Sequence, residues 1–193
     1  MNRIAVFCGS SAGIDPNFEQ EAFRLGQLLA EKNIGVVYGG AKIGLMGAVA
    51  EGALDKGGEV IGVIPDFLQT KEVAHNDLSE MIVVESMHER KLKMHDLSDG
   101  FIALPGGFGT MEELFEILTW AQLGLHHKPI GLLNIKEFYQ PLLTMIQGMN
   151  KQDFLKTINK DMLLQDTDMN NLLQKMESYK APETPEWMKK SGT

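Results

Sequence analysis

Ile4-Ala5-Val6-Phe7-Cys8-Gly9-Ser10-Ser11 decides the architecture: a short apolar run ends in a glycine and two serines, and a helical pattern opens a few residues later. Asp15 suits an N-cap and Pro16 the first helical position, and Phe18, Ala22, Leu25 and Leu29 follow at three- and four-residue spacing. A run without polar alternation is what a strand buried on both faces looks like. Similar runs at 36–38, 60–64, 82–84, 101–104 and 130–133 read as further strands, and Met162-Leu163-Leu164 as a last short one. Between them, helical patterns fit 45–56, stopped by Gly57-Gly58, and a stretch from Ser86 toward Ser98 with Ser86 and Glu89 spaced as a capping box. Others begin near Thr110 and continue through Leu114, Ile117, Leu118 and Ala121, or cover 138–149 and 169–179. Strands alternating strictly with helices predict an α/β fold: a doubly wound parallel sheet with helices on both faces. Residues 1–180 read as one domain and 181–193, with Pro182 and Pro185 among charges, as a surface tail.

Composition narrows the partners. With 193 residues, 44% of them hydrophobic, the chain can bury a substantial single core. A formal net charge of -8 and a pI near 5.1 repel polyanions, which argues against nucleic acid or an anionic membrane as the main partner. A small phosphorylated ligand in a locally positive pocket stays compatible with that field. No segment approaches the roughly 20 apolar residues that span a bilayer, and residues 4–8 are too short for a secretory signal. Cys8 is the only cysteine, so no intrachain disulfide or cysteine-rich zinc site forms, and a reducing cytoplasm is expected.

In an open parallel sheet, ligands sit outside the carboxyl ends of the strands. Three glycine loops fall there: Gly9-Ser10-Ser11, Gly39-Gly40 and Pro105-Gly106-Gly107-Phe108-Gly109-Thr110. The last is the sharpest, because its glycines let backbone approach a ligand and the following helix offers free N–H groups and a positive dipole end to a phosphate. It is neither a Walker A loop nor a G-x-G-x-x-G fingerprint. A glycine turn with Thr110 as a plain N-cap reads the same residues without a ligand. Glu112 and Glu113 suit a first helical turn for electrostatic reasons alone. Glu113, however, shares a face with Ile117 and Trp120, which turns its carboxylate toward the sheet. Arg90 and Lys91 sit near the start of their helix, where cations are disfavoured, so a bound anion or a substrate's polar edge is expected to compensate unless they form a solvated basic face. His88 and His95 lack a matched third ligand and read as core or surface residues, and Met94, Met145 and Met149 as packing.

The segment Pro105-Gly106-Gly107-Phe108-Gly109-Thr110-Met111-Glu112-Glu113 resembles the P-G-G-x-G-T-x-x-E motif of the LONELY GUY family, once labelled "possible lysine decarboxylases". The likeness extends to Val37-Tyr38-Gly39-Gly40, Gly44-Leu45-Met46-Gly47, Met87-His88-Glu89-Arg90-Lys91 and Thr119-Trp120-Ala121-Gln122-Leu123-Gly124. It implies a Rossmann-like sheet, a homodimer or larger assembly, and hydrolysis of the N-glycosidic bond of AMP or a cytokinin-type N6-modified AMP, without metal or cofactor. By position it implies substrate contacts at Glu72, Arg90, Lys91, Gly107, Phe108, Gly109, Thr110, Met111, Glu112, Glu113 and Thr119. Arg90 and Glu113 would be the catalytic pair. Thr119 lies two helical turns, about 10 Å, from the phosphate end, which suits the base or a partner's pocket. Two rivals remain: a non-catalytic nucleotide carrier with the same loops, and a pyridoxal phosphate decarboxylase, for which no lysine stands in a recognisable Schiff-base context.

Overall fold

The computed structural model describes residues 1–69, 75 and 77–183. Seven strands form one sheet: β1 (Arg3–Phe7), β2 (Gly35–Tyr38), β3 (Val60–Pro65), β4 (Glu80–Val84), β5 (Gly100–Ala103), β6 (Ile130–Leu133) and β7 (Leu163–Asp166). Every pairing is parallel and the order is β4-β3-β2-β1-β5-β6-β7. The chain thus winds outward from β1 to one edge, returns to lay β5 beside β1, and continues to the other edge. Loops leaving β1 and β5 diverge at that reversal and open a crevice. Gly9 N donates to Pro105 O at 3.0 Å and ties the two loops together at its base.

Among the described residues eight α-helices accompany the strands: α1 (Pro16–Glu31), α2 (Gly44–Asp55), α3 (Asp66–Gln69), α4 (Met87–Leu97), α5 (Phe108–Gln122), α6 (Gln140–Lys151), α7 (Thr157–Lys160) and, after β7, α8 (Met169–Glu177). Alternate residues of β1 explain the two layers. Ile4 and Val6 join a core cluster with α1, α2 and α8, whereas Ala5 and Phe7 join another with α4 and α5. Inner strands are buried on both faces, as their unbroken apolar runs require. The edges differ, since each has one free side: Val83 of β4 is 47% exposed and no residue of β7 is fully buried.

Most elements lie within a residue or two of their sequence-based bounds, and Gly57 ends α2 at φ +68 as expected of a left-handed exit. Two differences bear on function. The helix expected from residue 138 begins at Gln140, because Ile135–Glu137 form a 3-10 turn with Lys136 and Glu137 at φ 53 and 58. Asn134 Oδ1 closes that turn by accepting from Tyr139 N at 2.7 Å. The helix expected near Thr110 starts at Phe108, so Gly107 is the N-cap and Thr110 lies inside the first turn, 3% exposed. Among the described residues no helix is long and apolar enough to cross a membrane.

Candidate active site

A cavity of about 290 Å³ lies at the carboxyl end of β1, between α4, α5 and the start of α2. The α5 end is built to meet an anion. Gly107 offers no side-chain cap and Met111 N is the first amide to return to it, at 3.1 Å, so Phe108, Gly109 and Thr110 present N–H groups without helical partners. Thr110 is not the N-cap that a plain glycine turn would make of it, because its side chain packs against Gly106. A Cβ on Gly106 would stand 2.8 Å from Thr110 Cβ and 2.9 Å from Gly9 N.

One turn further along α5, Glu113 enters the same cavity. Burial drives its pKa up to about 7, with Arg90 opposing the shift and Glu112 adding to it. The carboxyl is therefore poised between its two states near neutrality.

Arg90 approaches from α4, whose start is fixed by Ser86 Oγ accepting from Glu89 N at 3.2 Å. Glu89 accepts from Glu85 N at 2.9 Å, one residue beyond the N-cap amide that a capping box would use. The guanidinium is buried, with Nη2 donating to Gly39 O at 3.2 Å and Nη1 to Met87 Sδ at 3.8 Å, while Nε has no partner among the described residues. A side chain at Gly39 would collide with Nη2, so this position needs a glycine. Among the described residues no carboxylate lies within ion-pair distance of Arg90. A buried cation short of acceptors is costly, and an incoming ligand would satisfy it.

Lys91, next in sequence, behaves differently. Its ammonium meets Glu112 Oε1 at 2.6 Å and Glu116 Oε1 at 3.0 Å, pinning α4 to α5. The compensation expected for a cation at this helix start comes here from α5, and Lys91 does not line the cavity.

Of the residues singled out by resemblance, Arg90, Gly107, Phe108, Gly109, Thr110, Glu112 and Glu113 gather around one cavity. Met111 does not line it. Thr119 Oγ1 donates to Phe115 O at 2.7 Å and lines a separate apolar groove among α5, α6 and α7. Glu72 lies outside the described residues. The cavity also uses Cys8, Met46, Met87 and Met94, which sequence reasoning did not assign to it. Met94 is 1% exposed and packs as well as lines. The adjacent glycines were the available signal, since Cys8 precedes Gly9 and Met46 sits two past Gly44. Burial pushes the Cys8 thiol well up, so it stays protonated at neutral pH. His95 is half-buried, stacked on Phe101 at 5.8 Å and edge-on to Trp120 at 5.4 Å. Among the described residues no three histidine, cysteine or carboxylate side chains cluster as metal ligands.

Residues 46–176 match the family model described as "Possible lysine decarboxylase". The chain is 47% identical to the "Probable cytokinin riboside 5'-monophosphate phosphoribohydrolase LOGL1" of Oryza sativa subsp. japonica, over 92% of this chain and 79% of that one. It is 44% identical to the cytokinin riboside 5'-monophosphate phosphoribohydrolase LOG1 of Arabidopsis thaliana, over 92% of this chain and 83% of that one. Among solved structures, the molybdenum cofactor binding protein of Rippkaea orientalis has a TM-score of 0.68 at 24% identity, covering 91% of this chain and 95% of that one. The molybdenum cofactor carrier protein of Chlamydomonas reinhardtii has a TM-score of 0.65 at 20% identity, with the same coverage. At those identities the structural likeness speaks for the fold.

Proposed function

This chain belongs to the family described as "Possible lysine decarboxylase" and resembles the cytokinin riboside 5'-monophosphate phosphoribohydrolases over most of its length, and from that premise we propose that it hydrolyses a purine nucleoside 5'-monophosphate to free base and ribose 5-phosphate. The observation that carries the reading is one cavity in which the uncapped end of α5, a buried Arg90 with an unpartnered Nε and a carboxyl poised near neutrality converge.

The division of labour follows from the chemistry of each group. The free amides at Phe108, Gly109 and Thr110 hold the 5'-phosphate, supported by the α5 dipole. Breaking C1'–N9 leaves oxocarbenium character on the ribose, which the Glu113 carboxylate stabilises while it orients and deprotonates the attacking water. Arg90 supplies donors to the ribose hydroxyls and offsets negative charge that builds on the leaving base. The water's hydroxyl ends on C1' and a proton ends on the base. Lys91 acts through position, since its two ion pairs set how far α4, and with it Arg90, stands from α5. Both plain AMP and N6-modified AMP fit the proposal, because the phosphate loop does not read the base.

A homodimer or larger assembly belongs to the same proposal. Phe115, Leu123 and Leu125 leave 37%, 42% and 66% of their surface exposed along the second half of α5 and just past it, which supports a contact between copies there.

The test is incubation of the purified chain with AMP and with N6-isopentenyl-AMP, separating the products by chromatography. Free base with an equal amount of ribose 5-phosphate is expected from at least one. Tight binding of both with neither product would leave a carrier in place of a hydrolase.

A further inference from the structure

A second cavity, of about 340 Å³, opens beside the first and shares Gly9, Ser10 and Gly107 with it. Its character is different. Phe18 of α1, Leu45 of α2, Pro105 and Phe138 wall it, residues 11–13 run along one side, and among the described residues no charged side chain lines it. Hydrolysis of a nucleoside monophosphate gives this space no task.

The walls are held in place by contacts of their own. Phe18 and Phe138 meet edge to face with centroids 6.0 Å apart. Lys136 Nζ lies 3.2 Å from Asp15 Oδ2, bridging the 3-10 turn to the N-cap of α1. Directly behind Phe138, Tyr139 is anchored through its hydroxyl to Leu104 O at 2.5 Å. Phe138 nevertheless stays 42% exposed, and the two residues before it take left-handed backbone conformations that carry a cost. Local backbone strain of this kind gathers at ligand clamps, and here it presents an aromatic ring at the edge of an apolar space.

What the two cavities share indicates what would enter the second. Gly107 caps α5, whose free amides hold the 5'-phosphate in the reading above, and this inference rests on that placement. A group passing from one cavity to the other must run past the phosphate. A monoester ends there, whereas a diester continues. We propose that the protein also binds nucleoside 5'-phosphodiesters whose second ester group is a flat aromatic ring, with the nucleoside in the first cavity and the ring between Leu45, Pro105 and the Phe18–Phe138 pair. The reaction itself is unchanged: water adds to C1', the base leaves with the bonding pair and gains a proton, and the ester stays on the ribose 5-phosphate.

The probes are the phenyl and the methyl phosphodiesters of AMP, compared by calorimetry and as inhibitors of base release from AMP. In the wild-type chain the phenyl ester should bind at least about tenfold more tightly, the scale of an aromatic ring gaining a packed aromatic site. Phe138→Ala should bring the two affinities together while leaving turnover of AMP intact. Phe138→Leu keeps apolar bulk without the ring and replaces the alanine variant should that one fail to fold. Equal affinities in the wild type, or a preference for the phenyl ester that survives both variants, would overturn the proposal. An intact phenyl preference in a protein that never releases base from AMP would sink the hydrolase reading and leave the second cavity assigned.

Discussion

Glu113 links activity to stability through one carboxyl group. Its folded pKa of about 7 stands above the 4.5 of an unperturbed glutamate because burial penalises the charge more than Arg90 relieves it. The catalytic form in the proposed mechanism is the carboxylate, so kcat/KM should climb about tenfold per pH unit below 7 and level off above it. A midpoint near 6 would instead report the second ionisation of the substrate's own phosphate. For stability the sign is reversed: with a raised folded pKa, the favourable contribution is complete below about 4.5 and is lost as pH rises through 7. Glu113→Gln should therefore lower kcat at least about 100-fold, yet stabilise the chain at pH 8 by on the order of 1–3 kcal/mol, a gain that vanishes by about pH 4. Paired denaturation curves at the two pH values check this, and a glutamine variant less stable than wild type at pH 8 would refute it. The sequence placed Glu113 on the inward face of its helix through Ile117 and Trp120. It gave no warning that Arg90 would be buried without a carboxylate partner among the described residues, since that depends on which chain segments close over it.

At the scale of an element, α5 shows what local pattern conveys and what it omits. Its apolar spacing announced the helix, and the glycine loop announced a ligand at its start. The true first residue was hidden, because Thr110 looks like a cap in sequence and is instead packed against Gly106 inside the first turn. That packing predicts a contrast between neighbours. Gly106→Ala forces a methyl group against Thr110 and the Gly9 amide and should cost about 1–3 kcal/mol. An alanine at Gly107 meets nothing within 4 Å and should change stability by less than half as much. Urea titrations of both variants that gave matching midpoints would remove this account of the loop. The pairing of Lys91 with Glu112 and Glu116 escaped sequence reading for a related reason. Both partners lie on α5 some twenty residues away, and only the docking of α4 onto α5 brings them into range. The left-handed turn at Lys136 and Glu137 was equally invisible, since neither residue type favours positive φ.

For the whole molecule, the sheet was the most legible feature, because buried parallel strands leave unbroken apolar runs that exposed segments lack. The edges were less so: β4 and β7 mix polar with apolar residues and pair on one side only. Assembly was not legible at all beyond the apolar side chains near α5. If copies meet there, Leu125→Asp should shift the chain toward monomer in sedimentation or light scattering, and an unchanged mass would place the contact elsewhere. The order of the strands has a further consequence for how the protein comes into being. Ile4 of β1 lies opposite Gly100 of β5, so the two neighbours at the middle of the sheet stand almost a hundred positions apart along the chain. Closing so wide a loop is entropically slow, and it precedes the joining of Gly9 to Pro105 on which both cavities depend. On a ribosome, residues 1–69 carry three neighbouring strands and emerge first, but ligand capture has to wait until the fifth strand has emerged and found the first.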